Sequence, residues 1–102
     1  MVIQEKKIKK IAVVGMGVIG DLVATMCRIH GYDVIGIDNR KLKSATTIRR
    51  GDVADKDFMS NVLEDCDAII SCLPYNLTRF VVEAAFDKGI HYFDATKSPI
   101  TP

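Results

Sequence analysis

The sequence lacks the features that mark several protein classes. It contains no tryptophan, and its three cysteines form no Cys-x-x-Cys pair. An odd number of thiols without a signal peptide argues against a secreted disulfide scaffold and predicts a cytoplasmic protein with reduced cysteines. Since no apolar run is long enough to cross a bilayer, we expect no association with a membrane.

The sequence also has almost no net charge and no pattern that would bind a metal. The formal net charge is +1, which leaves no basic footprint for nucleic acid. The two histidines, His30 and His91, stand isolated, and no metal-ligand spacing is present. We therefore expect neither a nucleic-acid partner nor a metal. The length of 102 residues allows at most one domain.

Short apolar runs alternate with segments of helical periodicity along the chain. Apolar runs predict strands at residues 9–14, 34–37, 68–72 and 90–93, and the weaker, β-branched segment 46–49 predicts another, the third of five along the chain. Because strands separated by helices must pair in parallel, the pattern predicts a doubly wound α/β fold of three layers, which is Rossmann-like, with strand order 3-2-1-4-5. This single domain would span residues 1–102. The last residues, 98–102, cannot form a sixth strand, so we expect a fragment of a longer enzyme.

Four local signals locate the helices more closely. Asp55 and Asn76 are each placed to cap a helix at its first turn. Gly31 and Gly89 are each placed to end one in a left-handed conformation. A short helical turn is predicted over residues 41–45.

A G-x-G-x-x-G motif follows the first predicted strand and opens the first predicted helix. In a dinucleotide-binding turn, Gly15 allows the tight bend, Gly17 lets the backbone approach the cofactor diphosphate, and Gly20 lets the helix lie close to the sheet. The amides of Val18 and Ile19 then lie at the positive end of the helix, where they would donate to the diphosphate. The motif therefore predicts a nicotinamide dinucleotide as ligand.

Asp38 ends the second predicted strand, 18 residues after Gly20. A carboxylate at this place accepts hydrogen bonds from the adenosine ribose hydroxyls, which favours NAD. The next residues, Asn39 and Arg40, are a countersignal, because an arginine just past the acid can hold a 2′-phosphate. NADP therefore stays open as an alternative cofactor.

Two further turns are expected to contact the cofactor. After the third strand, Asp52 would accept the adenine amino group and Val53 would cover the ring. The turn after the fourth strand is predicted to line the nicotinamide ribose with its backbone. It comprises Ser71, Cys72, Leu73 and Pro74.

Several segments together resemble the saccharopine dehydrogenase family. They are residues 15–20, 51–53 (GDV), 67–74 (DAIISCLP) and 89–96 (GIHYFDAT). The resemblance extends from Ile11 to Thr96 and covers the cofactor half of the family's enzymes. It implies an NAD(P)-dependent oxidoreductase of amino-acid metabolism, which transfers hydride to or from a carbon–nitrogen bond of an amino-acid substrate.

The resemblance also places the substrate-binding domain outside this chain. The catalytic residues stay unassigned, and the amino-acid substrate binds only to the full-length protein. Tyr92, Asp94 and Thr96 match the family's motif near the nicotinamide end, where they would support the site.

An alternative is a nucleotide-sensing regulatory domain of a potassium channel or transporter. Such domains share the glycine motif, an acid after the second strand, and a Gly-Asp pair like Gly51-Asp52. Residues 73–76 and 91–94 fit the dehydrogenase pattern better. Because the fifth strand would leave an exposed apolar edge, we also expect self-association into a homodimer.

Overall fold

The computed structural model of the protein describes residues 7–95. Five parallel strands form one sheet in the order β3-β2-β1-β4-β5. The strands are β1 (Lys10–Val14), β2 (Asp33–Asp38), β3 (Thr47–Arg50), β4 (Ala68–Ser71) and β5 (His91–Asp94). This confirms the predicted Rossmann-like architecture and strand order.

Helices cover both faces of the sheet. They are α1 (Val18–Ile29), α2 (Lys56–Val62) and α3 (Thr78–Lys88), the last preceded by a 3-10 turn (Tyr75–Leu77). Helix α1 packs on one face, whereas α2 and α3 pack on the other. Among the residues the structure describes, no helix is both long and apolar enough to span a membrane.

The central strand β1 contributes to two separate cores. Ala12 and Val14 point toward α2 and α3, where they meet Ile37 and Ile69. The alternate residues of β1 point toward α1 instead. Because both faces of β1 are covered, its sequence is a continuous apolar run and not an alternating one.

Helix α1 packs on the sheet through its small residues. Gly20 and Ala24 are buried against the strands. The larger apolar side chains of α1 lie on its outer side, with Val18 87% and Ile29 72% exposed. The absence of a side chain on Gly20 lets the helix lie close to the strand that precedes it.

Three predicted helix ends are confirmed. The Asp55 carboxylate accepts a hydrogen bond of 3.1 Å from the amide of Phe58 and so caps α2. Gly89 follows α3 with a φ of +65°, and Gly31 lies just beyond α1 with a φ of +90°. Both glycines occupy the left-handed region that favours this residue.

Two local predictions are wrong. Residues 41–45 form no helical turn, because the Ser44 hydroxyl accepts from the Thr46 amide at 3.0 Å and so competes with helical backbone bonds. Asn76 does not cap α3. It lies inside the 3-10 turn closed by the 3.0 Å bond from the Leu77 amide to the Pro74 carbonyl, and α3 begins without a side-chain cap.

Candidate functional site

The glycine-rich turn leaves β1 at the carboxyl edge of the sheet. Gly15 has a φ of +92°, and a Cβ atom there would lie 3.0 Å from the carbonyl carbon and oxygen of Cys72. Its amide donates to the Ile37 carbonyl at 2.8 Å. The turn is therefore held between the ends of β2 and β4, in a conformation and a space that favour glycine.

Gly17 opens toward solvent instead of toward the protein. Its φ is −70°, which any residue adopts. A Cβ atom there would meet one neighbour within 4 Å, the Arg40 Nη2 atom at 3.7 Å. Gly17 also precedes α1 without a side-chain cap, so the first amides of α1, at Val18 and Ile19, carry no side-chain acceptor. The space before these amides fits an anionic group.

Asp38 lies at the end of β2 and turns its carboxylate toward this turn. Its Oδ2 atom accepts from the Met16 amide at 2.8 Å and from Arg40 Nη2 at 3.0 Å. Its Oδ1 atom accepts from the Arg40 amide at 2.9 Å and from Arg40 Nε at 3.0 Å. The side chain of Asp38 is only 4% exposed, whereas that of Arg40 is 59% exposed.

The carboxylate of Asp38 is ionised despite its burial. Burial alone would raise the pKa of Asp38, but the hydrogen bonds from Arg40 and from the Met16 amide outweigh burial and hold that pKa at about 2. A buried negative charge therefore lies beside the glycine turn at neutral pH.

A cleft of about 440 Å³ lies between Asp38 and the turn that follows β4. It brings together six residues that the sequence assigned to the cofactor besides Asp38. They are Asn39, Arg40, Asp52, Val53, Leu73 and Pro74. Ile37, Gly51 and Leu77 also line the cleft and were missed. Ile37 and Gly51 adjoin assigned residues, but nothing in the sequence indicated that Leu77 would turn back into the cleft.

Asp52 and Val53 form one wall of this cleft. One Asp52 carboxylate oxygen accepts from the Ala54 amide at 2.9 Å, which closes the turn after β3. The Gly51 amide donates to the Asp38 carbonyl at 2.9 Å. This bond fixes the wall relative to Asp38.

Ser71 and Cys72 do not line the cleft. Ser71 is wholly buried, and within residues 7–95 its Oγ atom has no hydrogen-bond partner of normal geometry. Cys72 is half-buried, its amide donates to the Val14 carbonyl at 2.7 Å, and burial raises the pKa of its thiol. The backbone of Cys72 supports Gly15, whereas Leu73 and Pro74 reach the cleft.

Tyr92 and Asp94 meet at the end of β5. The Tyr92 hydroxyl donates to Asp94 Oδ2 at 2.9 Å. Burial, together with the Asp94 carboxylate, raises the pKa of Tyr92 to about 12, so the phenol is neutral at physiological pH. Asp94 pairs in register with Ser71 of β4. Thr96, Lys97 and the final segment 98–102 lie outside the described residues.

The amide of Met16 makes a further contact of the site that the sequence did not predict. Met16 occupies a variable position of the motif, yet its amide ties the turn to Asp38, and its side chain lies buried against Gly36. A glycine at position 36 makes room for this side chain, because a Cβ there would lie 2.7 Å from Met16 Cγ. Between residues 7 and 95, no cluster of acids, histidines and cysteines is arranged to hold a metal.

Comparison with known proteins identifies the kind of domain. Residues 1–87 match the family model described as D-isomer specific 2-hydroxyacid dehydrogenase, NAD binding domain. The UDP-N-acetyl-D-mannosamine dehydrogenase of Methanococcus vannielii is 35% identical over 86 residues. That match covers 70% of this chain and 20% of the relative.

Solved structures share the same fold. Saccharopine dehydrogenase (L-Glu forming) from Saccharomyces cerevisiae superimposes with a TM-score of 0.77 at 22% identity, covering 92% of this chain and 22% of that one. The enzyme WbmG of Bordetella bronchiseptica, solved in complex with NAD, gives a TM-score of 0.72 at 12% identity, covering 91% of this chain and 39% of that one. The chain spans about a fifth of the length of the curated relatives it matches.

Proposed function

Because the chain belongs to the family of NAD-binding domains of D-isomer specific 2-hydroxyacid dehydrogenases, we propose that the cleft between Asp38 and the turn after β4 holds the adenosine half of NAD. The family assigns the cofactor, NAD, and the general activity, that of an NAD-binding domain of a dehydrogenase. The residues that hold NAD, and the substrate, are our proposal.

One observation carries the assignment of the site. The uncapped amides of Val18 and Ile19 follow Gly17 in the chain, and the buried carboxylate of Asp38 accepts from the amide of Met16, which precedes Gly17. The dipole of α1 and the free amides at its first turn favour the binding of a diphosphate. A carboxylate next to them accepts from ribose hydroxyls. Gly17 adds no side chain of its own here, and the one atom within 4 Å of its Cβ position is Arg40 Nη2.

The walls of the cleft suit an adenine ring. Val53, Leu73, Pro74 and Leu77 supply apolar surface, and the exposed Asp52 stands beside Val53. An aromatic base packs favourably between such surfaces, and a few polar groups fix its orientation. When bound, NAD would accept or donate the hydride, and this chain would hold and orient it.

The finer proposal concerns the substrate of the full-length protein. We propose a carbon–nitrogen bond of an amino acid, on the resemblance of segments 67–74 and 89–96 to the saccharopine dehydrogenase family. The Tyr92–Asp94 hydrogen bond supports this, because it orients a neutral phenol at the end of β5, beside the strand that leads into the nicotinamide side of the site. The substrate-binding part would lie in a longer polypeptide.

A second substrate class has its own support. The 35% identity to UDP-N-acetyl-D-mannosamine dehydrogenase favours oxidation of a hydroxyl group in a nucleotide sugar. The two classes are separated by assaying the polypeptide that carries this domain for NADH formation with saccharopine or with UDP-N-acetyl-D-mannosamine. Turnover of the amino acid supports the carbon–nitrogen proposal, and turnover of the nucleotide sugar contradicts it.

Fluorescence titration with NADH tests the proposed site directly. The unmodified chain should bind, and Gly17→Val should bind at least about tenfold more weakly, because its side chain would fill the approach to the diphosphate. Circular dichroism should show the same fold for both proteins, since Gly17 has an ordinary φ and free space. Equal affinity in the two folded proteins would contradict the site.

A further inference from the structure

Helix α1 carries a second apolar face, which points away from the sheet. Its inner side, with Gly20 and Ala24, is buried against the strands. Five large apolar side chains on its outer side are between 50% and 87% exposed. They are Val18, Ile19, Leu22, Met26 and Ile29, and together they are called the outer face of α1. Surface helices normally present polar residues to water, so an apolar outer side indicates a contact surface.

The outer face of α1 is continuous and uncharged. With about 3.6 residues per turn, its five positions fall within an arc of about 100° of the helix circumference, and no charged residue falls in that arc. The exposed apolar residues of α3 are arranged differently. Val82 and Phe86 lie beside Arg79 and Glu83. The outer face of α1 is therefore the more coherent apolar surface of the two.

Two opposite charges lie along one edge of the outer face. Asp21 accepts a hydrogen bond from the Ser44 hydroxyl, and Arg28 Nε donates to the Thr46 hydroxyl at 3.1 Å. Because both bond to the segment 44–46, they lie on the same side of α1. Asp21 is in the first turn of the helix and Arg28 is in the last. This edge is thus negative at one end and positive at the other.

We propose that the outer face of α1 binds the same face of a second copy of this chain, with the two helices antiparallel across a two-fold axis. A two-fold axis brings one patch of both copies together. If it passes near position 24, Leu22 lies opposite the partner's Met26, and Ile19 lies opposite the partner's Ile29.

The edge charges favour the antiparallel arrangement. A two-fold axis perpendicular to the helices brings the same edge of both copies together with its direction reversed. Asp21 then meets the partner's Arg28, and the partner's Asp21 meets Arg28. In a parallel pair these edges lie on opposite sides and the two charges do not meet. The apolar face and its charged edge are therefore both complementary to themselves.

The outer face is large enough for a weak dimer. An aliphatic side chain of this kind removes roughly 60 to 120 Å² from water when fully buried, so the five residues supply of the order of 300 Å² per copy. Since interfaces are about 60% apolar, this implies a total buried area of about 1,000 Å². That area is near the lower limit of specific interfaces, and we expect a dissociation constant of about 1 to 100 μM.

This surface differs from the edge of β5, from which the sequence predicts self-association. The proposal also does not depend on the dinucleotide site. The backbone amides of Val18 and Ile19 are assigned to that site, whereas their side chains belong to the outer face. Leu22 and Met26 lie at the centre of the outer face and have no part in the dinucleotide site, so they are the positions to change.

Sedimentation velocity at increasing protein concentration tests the proposal. The unmodified chain should pass from monomer to dimer as the concentration rises. Leu22→Glu should weaken the dimer at least about tenfold, because the two-fold axis brings two carboxylates into one apolar contact. Met26→Lys should weaken it similarly with the opposite charge. Circular dichroism should show both variants folded, since both side chains are at least half exposed.

Two controls fix the surface and the direction of the helices. Phe86→Glu places the same charge on the exposed apolar residue of α3 and should leave the dimer unchanged. Asp21→Lys should weaken the dimer by about twofold to tenfold, because a lysine then faces the partner's Arg28. The double variant Asp21→Lys with Arg28→Glu should restore it, because the reversed charges pair again.

Each outcome bears on the proposal. A folded chain that stays monomeric at every concentration would overturn it. So would a dimer that Leu22→Glu and Met26→Lys leave intact, or one that only Phe86→Glu dissociates. Failure of the double variant to restore the dimer would overturn the antiparallel arrangement. Binding of NADH by monomeric Leu22→Glu would leave the proposed function standing whichever way the dimer is decided.

Discussion

A Cβ atom on Gly20 would lie 1.7 Å from the carbonyl oxygen of Gly15. The two glycines are five positions apart in one motif, and they hold the first turn of α1 directly against the bend that leaves β1. Gly17 lies between them in the sequence. A Cβ atom on Gly17 would contact neither β1 nor α1. The motif is therefore divided between two positions that shape the turn and one, Gly17, that has open space beside it.

Gly20→Ala should destabilise the fold severely. A methyl group cannot share space with a backbone oxygen, so α1 would have to move away from β1. We expect the free energy of unfolding to fall by at least about 3 kcal/mol. The higher helix propensity of alanine than of glycine offsets only about 1 kcal/mol of this loss. Urea denaturation followed by circular dichroism measures the difference.

Gly17→Ala is the matched control for this experiment. Its Cβ has free space and an ordinary φ, so we expect a change in the free energy of unfolding within about 1 kcal/mol. Similar destabilisation by Gly17→Ala and Gly20→Ala would contradict the division of the motif.

The fold could be predicted from the sequence because four of its strands coincide with short apolar runs, whereas β3 is marked only by its β-branched residues. Because β1 is buried on both faces, its sequence is a continuous apolar run. Such a run indicates a strand even before the neighbouring strands are identified. The face on which α1 packs could not be read in this way. Its large apolar residues, Val18 and Ile29 among them, lie outside, since the approach of Gly20 and Ala24 to the sheet determines the packing.

The site could be predicted only as far as local spacing determines it. The spacing from the glycine motif predicts the place of Asp38, and the Asp38 carboxylate does accept from the amide of Met16 within that motif. The bond from the Met16 amide to Asp38 joins residues 22 positions apart, and the closure of the acid by Arg40 depends on a side-chain conformation. Neither leaves a periodic signal in the sequence.

The stability of the protein should depend on the ionisation of Asp38 in acid. Because the pKa of Asp38 in the fold is about 2, below the ordinary value of about 4, folding favours the charged form. Its stabilising contribution is complete above about pH 4 and is lost as the pH falls toward 2. The contribution lost is of the order of 2 kcal/mol.

Asp38→Asn isolates this contribution from that of the other acids. The difference in free energy of unfolding between the unmodified chain and Asp38→Asn should shrink as urea denaturation is repeated from pH 5 to pH 2. A difference that stays constant over this range would show that Asp38 is not held in its charged form.

Loss of the cap at Asp55 should weaken α2. Its carboxylate accepts from the Phe58 amide, so Asp55→Ala should lower the free energy of unfolding by about 1 kcal/mol. Asp57→Ala, in the exposed first turn of the same helix, removes an equal charge without a cap bond and should cost only a few tenths of a kcal/mol. Equal losses in urea denaturation would contradict the assigned cap.

Tyr92 should make the fold sensitive to strong alkali. Its pKa in the fold is raised to about 12 by burial and by Asp94, so the neutral phenol is favoured on folding. That stabilisation is present below the ordinary tyrosine pKa of about 10 and is lost as the pH rises toward 12. Tyr92→Phe should lose less stability than the unmodified chain between pH 10 and pH 12 in thermal unfolding. A parallel loss in both proteins would contradict the burial of the phenol.

An NMR titration of the isotope-labelled chain with NAD reports directly where the dinucleotide contacts the protein. The largest amide shifts should occur at Gly17, Val18, Ile19 and the segment 38–40. A smaller set should follow at Asp52, Val53 and residues 73–77. Shifts confined to the part of the groove between α2 and α3 that surrounds Lys56 and Glu83 would contradict the proposed NAD site. So would the absence of any shift at saturating NAD.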